Sequence, residues 1–235
     1  MRTPVRDKMH AMNRPQLSIM RYTVALVLGA LVLVDVTAAQ GSERLAGEAL
    51  VQALRTGGYN LYFRHAATDW QTDDHVTAAG DWVSCDPKKM RQLTPAGRET
   101  ARAVGEAMRA LGIPVRQVLA SPYCRTMETA RALALGPVET TTDIMNLRVA
   151  DFFGGESSIA ARTRQRLAIS PQAGTNTVLV AHGNVIKAAT GEYPGEAGAV
   201  VFRPDGNGKF SVLAQVSPKE WERFAATFAK PRGDR

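Results

Sequence analysis

Short apolar runs and longer amphipathic stretches alternate along the chain, and segments rich in glycine, proline or polar residues separate them. Residues 177–181 (TVLVA) form a continuous apolar run, as expected of a central strand that is buried on both faces. The runs at residues 200–203 and 210–216 flank residues 204–208 (PDGNG), which is the signature of a β-hairpin. Further strands are predicted at residues 59–63, 115–120 and 138–142.

Helices are predicted in the stretches between these strands. A helix with Thr94 as its N-cap is expected to run to about residue 111, because Pro95 follows the cap at the first helical position. Ser121 and Pro122 repeat this start for a helix that runs to about residue 135. The other helices are predicted at residues 42–56, 157–169 and 184–190, and after Pro218.

Strands that alternate with helices favour a doubly wound α/β fold. We expect a mainly parallel sheet with helices on both faces and an antiparallel C-terminal hairpin. Ligands bind such sheets beside the carboxyl ends of the strands. The polar stretch at residues 66–93, here called the long loop, is longer than a simple connection between a strand and a helix. Loops of this length usually cover or build a site.

The first forty residues have the pattern of a secretory signal peptide. Basic residues up to Arg21 precede an apolar stretch at residues 24–34, and small residues follow at 37–39. Eleven apolar residues fall short of the ~20 that a membrane-spanning helix needs. We therefore expect residues 1–40 to be an export signal that meets the membrane only transiently. Residues 41–235 then form one domain in the periplasm or outside the cell. The alternatives are an uncleaved anchor or a buried helix, with Met12 and Met20 as other possible starts.

The net charge narrows the choice of ligands. Of the formal net charge of +7, residues 1–40 contribute +3, from five Arg or Lys against two Asp, which leaves +4 for the rest. This bias is compatible with a small anionic substrate and too weak to indicate nucleic acid. No run of basic residues is interleaved with aromatic ones. We therefore expect no nucleic-acid partner.

Two cysteines follow the leader, Cys85 in the long loop and Cys124 at the start of a predicted helix. In an exported chain an even count permits one disulfide, whereas a cytosolic location favours two thiols. A disulfide between them would close a loop of about forty residues and attach the long loop to the start of that helix. Cys124 could instead be a reactive thiolate, because helix N-termini lower the pKa of a thiol. We expect the disulfide.

Ionisable residues stand at three predicted strand ends. Arg64 and His65 end the first strand, Arg125 follows the second, and His182 follows the apolar run. A cation in the first turn of a helix opposes the helix dipole, so Arg125 is favourable there only if an anion binds beside it. Imidazole nitrogen can attack phosphorus while guanidinium groups stabilise the phosphoryl oxygens. The set predicts phosphoryl transfer without a metal or other cofactor.

Three segments carry a family resemblance: FRHAATD (63–69), SPYCRTMETA (121–130) and VAHGN (180–184). In this order they resemble the histidine phosphatase superfamily, also called the phosphoglycerate mutase-like family, over residues 58–216. The resemblance implies that His65 is the phosphorylated nucleophile. It also implies a phosphate pocket formed by three residues and an additional hydroxyl nearby, namely Arg64, Arg125 and His182, with Thr68.

The chain departs from this family at two points. Ala66 stands where the family has a glycine, and residues 143–155 contain no clear equivalent of the glutamate that donates a proton in mutase-like members. Glu196, in the segment GEAGAVVF, resembles an acid position of the smaller bacterial phosphatases. Three other carboxylates compete with it for the role of general acid: Asp69, Asp151 and Glu156.

These observations predict a small exported phosphatase that hydrolyses phosphomonoesters through phospho-His65. The expected partner is a small phosphorylated substrate. Mutase-type phosphoryl transfer is one alternative, and a catalytically inactive protein that binds a phosphorylated ligand is another.

Overall fold

The computed structural model describes residues 44–229, so the predicted export signal at residues 1–40 lies outside the described residues. Within them the chain forms six strands: β1 (Asn60–Arg64), β2 (Val115–Ala120), β3 (Val138–Thr140), β4 (Asn176–Ala181), β5 (Ala199–Pro204) and β6 (Phe210–Val216). The same residues form six α-helices: α1 (Gly47–Thr56), α2 (Pro95–Ala110), α3 (Cys124–Leu133), α4 (Glu156–Ala168), α5 (Gly183–Thr190) and α6 (Pro218–Phe228).

The strands form one sheet in the order β3-β2-β4-β1-β5-β6. The first four strands of this order are parallel, whereas β5 runs antiparallel to both β1 and β6. The prediction of a mainly parallel sheet with an antiparallel C-terminal hairpin is therefore confirmed. The apolar run predicted as a central strand is β4, which lies between β2 and β1 and has a buried core on both sides.

Both faces of the sheet are covered by helices because successive strand residues point to opposite faces. Leu61 and Phe63 of β1 belong to a core cluster with side chains of α1, α2, α3 and α6, and the Phe63 ring stacks 6.4 Å from that of Trp221. Tyr62, between them, packs on the opposite face with Leu179 and with side chains of α4 and α5. This packing fixes the ends of β1 and β4 relative to each other.

Two predicted helix starts are wrong. The first helix was expected from residue 42, but Ala46 is extended and the N–H of Leu45 donates to the carbonyl of Leu213 in β6. The helix with Ser121 as its expected N-cap begins instead at Cys124, after an extended Tyr123. Ser121 is not a cap because its carbonyl accepts from the Thr126 hydroxyl and its own hydroxyl lies against His182.

Close contact between α2 and α3 sets the position of α3. A Cβ at Gly105 would overlap the carbonyl oxygen of Leu133, so only glycine allows this approach. Trp82 of the long loop packs against the 3₁₀ helix Leu147–Phe153, with its ring 5.5 Å from that of Phe152 and 5.2 Å from that of Phe153. Among the described helices, none has the length and apolar character required to cross a membrane.

Candidate active site

The two histidines predicted at strand ends lie side by side. β1 and β4 are neighbours with Arg64 opposite Ala181, so the residues that follow these strands emerge at the same edge of the sheet. The rings of His65 and His182 are 5.6 Å apart, and the two residues are 3% and 1% exposed. The N–H of His65 also donates to the carbonyl of Ala181, which holds its main chain against β4.

His65 is held as a neutral imidazole with one unengaged nitrogen. Its Nδ1 lies 2.9 Å from the carbonyl oxygen of Ala66, so Nδ1 carries the proton and donates it. Nε2 has no hydrogen-bond partner among residues 44–229 and keeps its lone pair. Burial is the main cause that lowers the pKa of His65 well below 6.5, followed by the charge of Arg125. A lone pair on Nε2 is what a nucleophilic histidine requires.

His182 is fixed at three points. Its main-chain N–H donates to the Tyr62 hydroxyl at 3.2 Å, and that hydroxyl donates to the carbonyl of His182 at 2.9 Å. Its Nε2 lies 3.0 Å from the Ser121 hydroxyl oxygen, whereas Nδ1 is buried with no partner among the described residues. Burial, and then the charge of Arg125, lowers the pKa of His182 well below 6.5.

Both histidines line a pocket of about 150 Å³. Three arginines line it as well, and one of them is the predicted Arg64. The complete lining is Arg64, His65, Trp70, Arg91, Asn146, Arg148, His182, Gly183, Asn184 and Tyr193. Larger depressions of about 500, 400 and 190 Å³ occur elsewhere on the described surface, but none of these three is lined by a histidine. The two histidines therefore identify the pocket of about 150 Å³ as the candidate active site.

Arg64 connects the pocket to Glu196, the favoured general acid. Its Nη2 lies 3.6 Å from Oε1 of Glu196, and its guanidinium carbon lies 5.2 Å from the centre of the Tyr193 ring. Gly183 permits this arrangement, because a Cβ there would come within 2.7 Å of Tyr193 and 3.2 Å of the Arg64 side chain. The structure thus places Glu196 beside the pocket, although it does not line it.

Arg125 does not line the pocket and is paired with a carboxylate of the protein itself. Each terminal nitrogen lies 3.0 Å from one oxygen of Asp74, and the side chains of Arg125 and Asp74 are 1% and 2% exposed. Arg125 is the second residue of α3, so the sequence correctly placed it in a first helical turn. The anion required beside it is Asp74 of the long loop, which the sequence argument missed.

The other predicted site residues have different surroundings. The Thr68 hydroxyl is buried without a partner among the described residues, and Thr68 pairs with Leu93 in an isolated β-bridge. The three rival acids are exposed and none lines the pocket, namely Asp69, Asp151 and Glu156. Across residues 44–229, no group of three or more His, Cys, Asp or Glu side chains is arranged to hold a metal ion.

The long loop is bonded to α3. Cys85 and Cys124 form a disulfide with their Cα atoms 5.3 Å apart, so the predicted bridge is confirmed. The same loop contributes Trp70 and Arg91 to the pocket. The sequence contained one indication of this, because the loop is too long for a simple connection and carries one half of the cysteine pair.

Comparisons with known proteins give a family match. Residues 61–168 match the model of the histidine phosphatase superfamily (branch 1). No curated protein matches the chain.

Several solved structures are similar at low identity. A phosphoserine phosphatase from Entamoeba histolytica in complex with 3-phosphoglyceric acid is 16% identical, with 69% of this chain and 98% of that chain covered and a TM-score of 0.49. Mycobacterial hydrolase 2 is 18% identical, with 74% and 99% covered and a TM-score of 0.48. The protein histidine phosphatase SixA complexed with tungstate is 16% identical, with 68% and 97% covered and a TM-score of 0.45.

The matched residues 61–168 contain two of the three segments that carry the resemblance, the one that ends β1 and the one that begins α3. The third segment, at the end of β4, supplies the histidine that lies beside His65. The resemblance to the histidine phosphatase superfamily is therefore confirmed over residues 61–168.

Proposed function

We propose that the protein hydrolyses phosphomonoesters through a covalent phosphohistidine on His65. The observation that carries this proposal is the state of the His65 ring. Its Nδ1 proton is donated to Ala66, its Nε2 is unengaged among the described residues, and it lines a pocket with three arginines. A neutral imidazole surrounded by guanidinium groups suits attack on a phosphoryl dianion, because the cations offset the repulsion of its oxygens.

In the first step the Nε2 lone pair of His65 attacks phosphorus. The N–P bond forms as the P–O bond to the leaving group breaks, and the leaving oxygen takes a proton from a general acid. Arg64 lines the pocket directly before the nucleophile and donates to the phosphoryl oxygens. In the second step the deprotonated acid takes a proton from a water molecule as the water oxygen attacks phosphorus. The N–P bond breaks, and inorganic phosphate leaves with His65 and the acid restored.

His182 is assigned to the transferring phosphoryl group. When the Ser121 hydroxyl donates to Nε2, Nδ1 carries the ring proton, and this buried donor has no partner among the described residues. A buried donor without a partner is costly, and a phosphoryl oxygen would satisfy it. Removal of the His182 ring should therefore weaken transition-state stabilisation without removing the nucleophile.

Glu196 is assigned as the general acid. Its carboxylate is 3.6 Å from Arg64, and its Oε1 is buried without a hydrogen-bond partner among residues 44–229. Asp74 is also close to the cationic residues, but Arg125 engages both of its oxygens. Asp73 also lies 3.6 Å from a pocket arginine, Arg148, but its side chain is 77% exposed, whereas that of Glu196 is 28% exposed. Glu196 is therefore the more enclosed of the two carboxylates beside the pocket.

We also assign the protein to the small exported type of phosphatase. The Cys85–Cys124 disulfide supports this assignment, because such bonds form and persist in oxidising compartments. The pocket of about 150 Å³ supports a small phosphorylated substrate, since it is lined by cations rather than by a large apolar surface.

An aryl phosphate tests the proposal. The oxidised protein should release phenol and inorganic phosphate, and enzyme quenched in alkaline denaturant should carry an acid-labile, base-stable phosphoryl group on His65. His65→Ala should lose both, with a fall in kcat/KM of about 10³-fold or more. His75→Ala is the matched control, because His75 is exposed in the long loop. Unchanged turnover in His65→Ala would refute the mechanism, and bound phosphate ester without turnover would favour the inactive binding protein.

A further inference from the structure

Arg91 differs from the other arginines of the pocket because it has no partner of opposite charge among residues 44–229. Arg64 lies 3.6 Å from Glu196, and Arg148 lies 3.6 Å from Asp73. Within residues 44–229, no carboxylate oxygen lies within 4.0 Å of the Arg91 guanidinium. Its Nε is buried and has no hydrogen-bond partner there either.

The Arg91 side chain is nevertheless held in place. Its main-chain N–H donates to Oδ1 of Asp74 at 3.0 Å, and its guanidinium carbon lies 3.8 Å from the centre of the Trp70 ring. The residue is only 7% exposed. A guanidinium stacked on an aromatic face keeps its in-plane N–H donors available for an oxyanion.

A buried guanidinium N–H without a hydrogen bond, such as that of the Arg91 Nε, is unfavourable unless a ligand supplies the acceptor. Arg91 lines the same pocket as the nucleophile, and its charge is one of the causes that lower the pKa of both pocket histidines. We infer that Arg91 is a ligand of the phosphoryl group, delivered to the pocket by the long loop. This inference rests on the proposed function, because it adds a residue to the same site.

Arg91 and Arg125 therefore have different roles. Arg125 donates with both terminal nitrogens to Asp74, so its charge is already balanced within the protein. The same Asp74 carboxylate accepts the main-chain N–H of Arg91. One aspartate thus neutralises Arg125 and fixes the main chain at Arg91, whose own guanidinium remains available at the pocket wall.

Equilibrium binding of tungstate, a tetrahedral oxyanion, to the oxidised full chain tests this inference without turnover. Isothermal titration calorimetry should show that Arg91→Ala binds tungstate at least about 10-fold more weakly than the unsubstituted protein, since charge-assisted hydrogen bonds are lost. Lys89→Ala is the matched control, because it removes one positive charge from an exposed position of the same loop. Its affinity should stay within about twofold of the unsubstituted protein.

The outcomes separate this inference from the proposed function. If the unsubstituted protein bound no tungstate, both would be overturned. If it bound tungstate and Arg91→Ala matched Lys89→Ala, only the role of Arg91 would be refuted. Arg91→Lys keeps the charge but not the planar donors, so its affinity should be intermediate. If Arg91→Ala fails to fold by circular dichroism, Arg91→Lys decides, and unsubstituted affinity in that variant would overturn the inference.

Discussion

The strand ends and the long loop contribute to the same pocket but are built in different ways. The strand ends supply the two histidines, whose main chains are bonded to the sheet and to the Tyr62 hydroxyl. The long loop supplies Trp70 and Arg91, and its own regular structure is a short 3₁₀ helix at Asp81–Val83 and one isolated β-bridge. The reacting groups therefore depend on the sheet, whereas part of the positive charge depends on a loop.

The long loop has no regular strand ladder to anchor it, and three other contacts attach it to the rest of the described structure. These are the buried ion pair between Asp74 and Arg125, the Cys85–Cys124 disulfide and the packing of Trp82. Two of the three attach to the first two residues of α3. The difference suggests that substitutions in the sheet should affect catalysis and the whole fold, whereas substitutions at these contacts should first release the loop.

The largest effect on stability is expected from Asp74→Ala. Removal of one member of a buried ion pair leaves an unpaired buried charge, which costs about 3–5 kcal/mol of unfolding free energy. Asp73→Ala is the matched control, because Asp73 and its partner Arg148 are mostly exposed and such pairs contribute about 1 kcal/mol or less. Urea unfolding at neutral pH measures both. Equal effects of the two substitutions would contradict a structural role for the buried pair.

Removal of the disulfide should have the next largest effect. Cys85 and Cys124 are separated by 39 residues in sequence. In the chain-entropy model, a loop of this length corresponds to about 3–4 kcal/mol. The double variant Cys85→Ser with Cys124→Ser should lose that stability and become more sensitive to trypsin at the exposed Lys88 and Lys89. Thiol titration of the denatured, unreduced protein provides the direct check, and two titratable thiols would refute the bridge.

The fold was largely predictable because its signals are local. Thr94 followed by Pro95 predicted a helix start, and in the structure the Thr94 hydroxyl does accept from the N–H of Gly97 at 2.9 Å. The same reasoning was wrong at Ser121 because its hydroxyl lies 3.0 Å from His182. That contact joins residues 61 positions apart, so no local pattern could show that Ser121 was unavailable as a cap.

The site was predictable only where it lies at strand ends. Arg64, His65 and His182 follow directly from strands, so the sheet topology was enough to bring them together. Asp74 and Arg91 belong to a loop whose path depends on a disulfide and a buried ion pair. The sequence indicated that the loop had a role, but it could not indicate which carboxylate would meet Arg125.

A substitution at the contact between α2 and α3 should have a moderate effect on the free energy of unfolding. Gly105→Ala improves helix propensity, but the new Cβ would overlap the carbonyl oxygen of Leu133. Overpacking of this kind costs about 1–3 kcal/mol, because the helices must separate. Glu106→Ala, at an exposed position of the same helix, should change stability little. Stabilisation by Gly105→Ala in urea unfolding would show that α2 and α3 are not in close contact.

The smallest expected effect is the pH dependence of stability from the two pocket histidines. Burial holds the pKa of His65 and of His182 below 6.5 in the folded protein, so at acidic pH the unfolded chain binds protons that the folded chain does not. The contribution of the two neutral histidines to the free energy of unfolding is therefore fully present above pH 6.5. It is lost as the pH falls below 6.5. Between pH 7.5 and 6.0 the loss should be about 1–2 kcal/mol for the pair.

Comparison of urea unfolding at the two pH values tests this expectation and separates the sheet from the loop. His182→Gln should remove about half of the change, because one of the two buried imidazoles is gone. Arg91→Ala should leave it almost intact, because burial is the first cause of both shifts and the charge of Arg91 is a lesser one. If Arg91→Ala abolished the pH dependence instead, the charges of the loop, and not burial at the strand ends, would keep these histidines neutral.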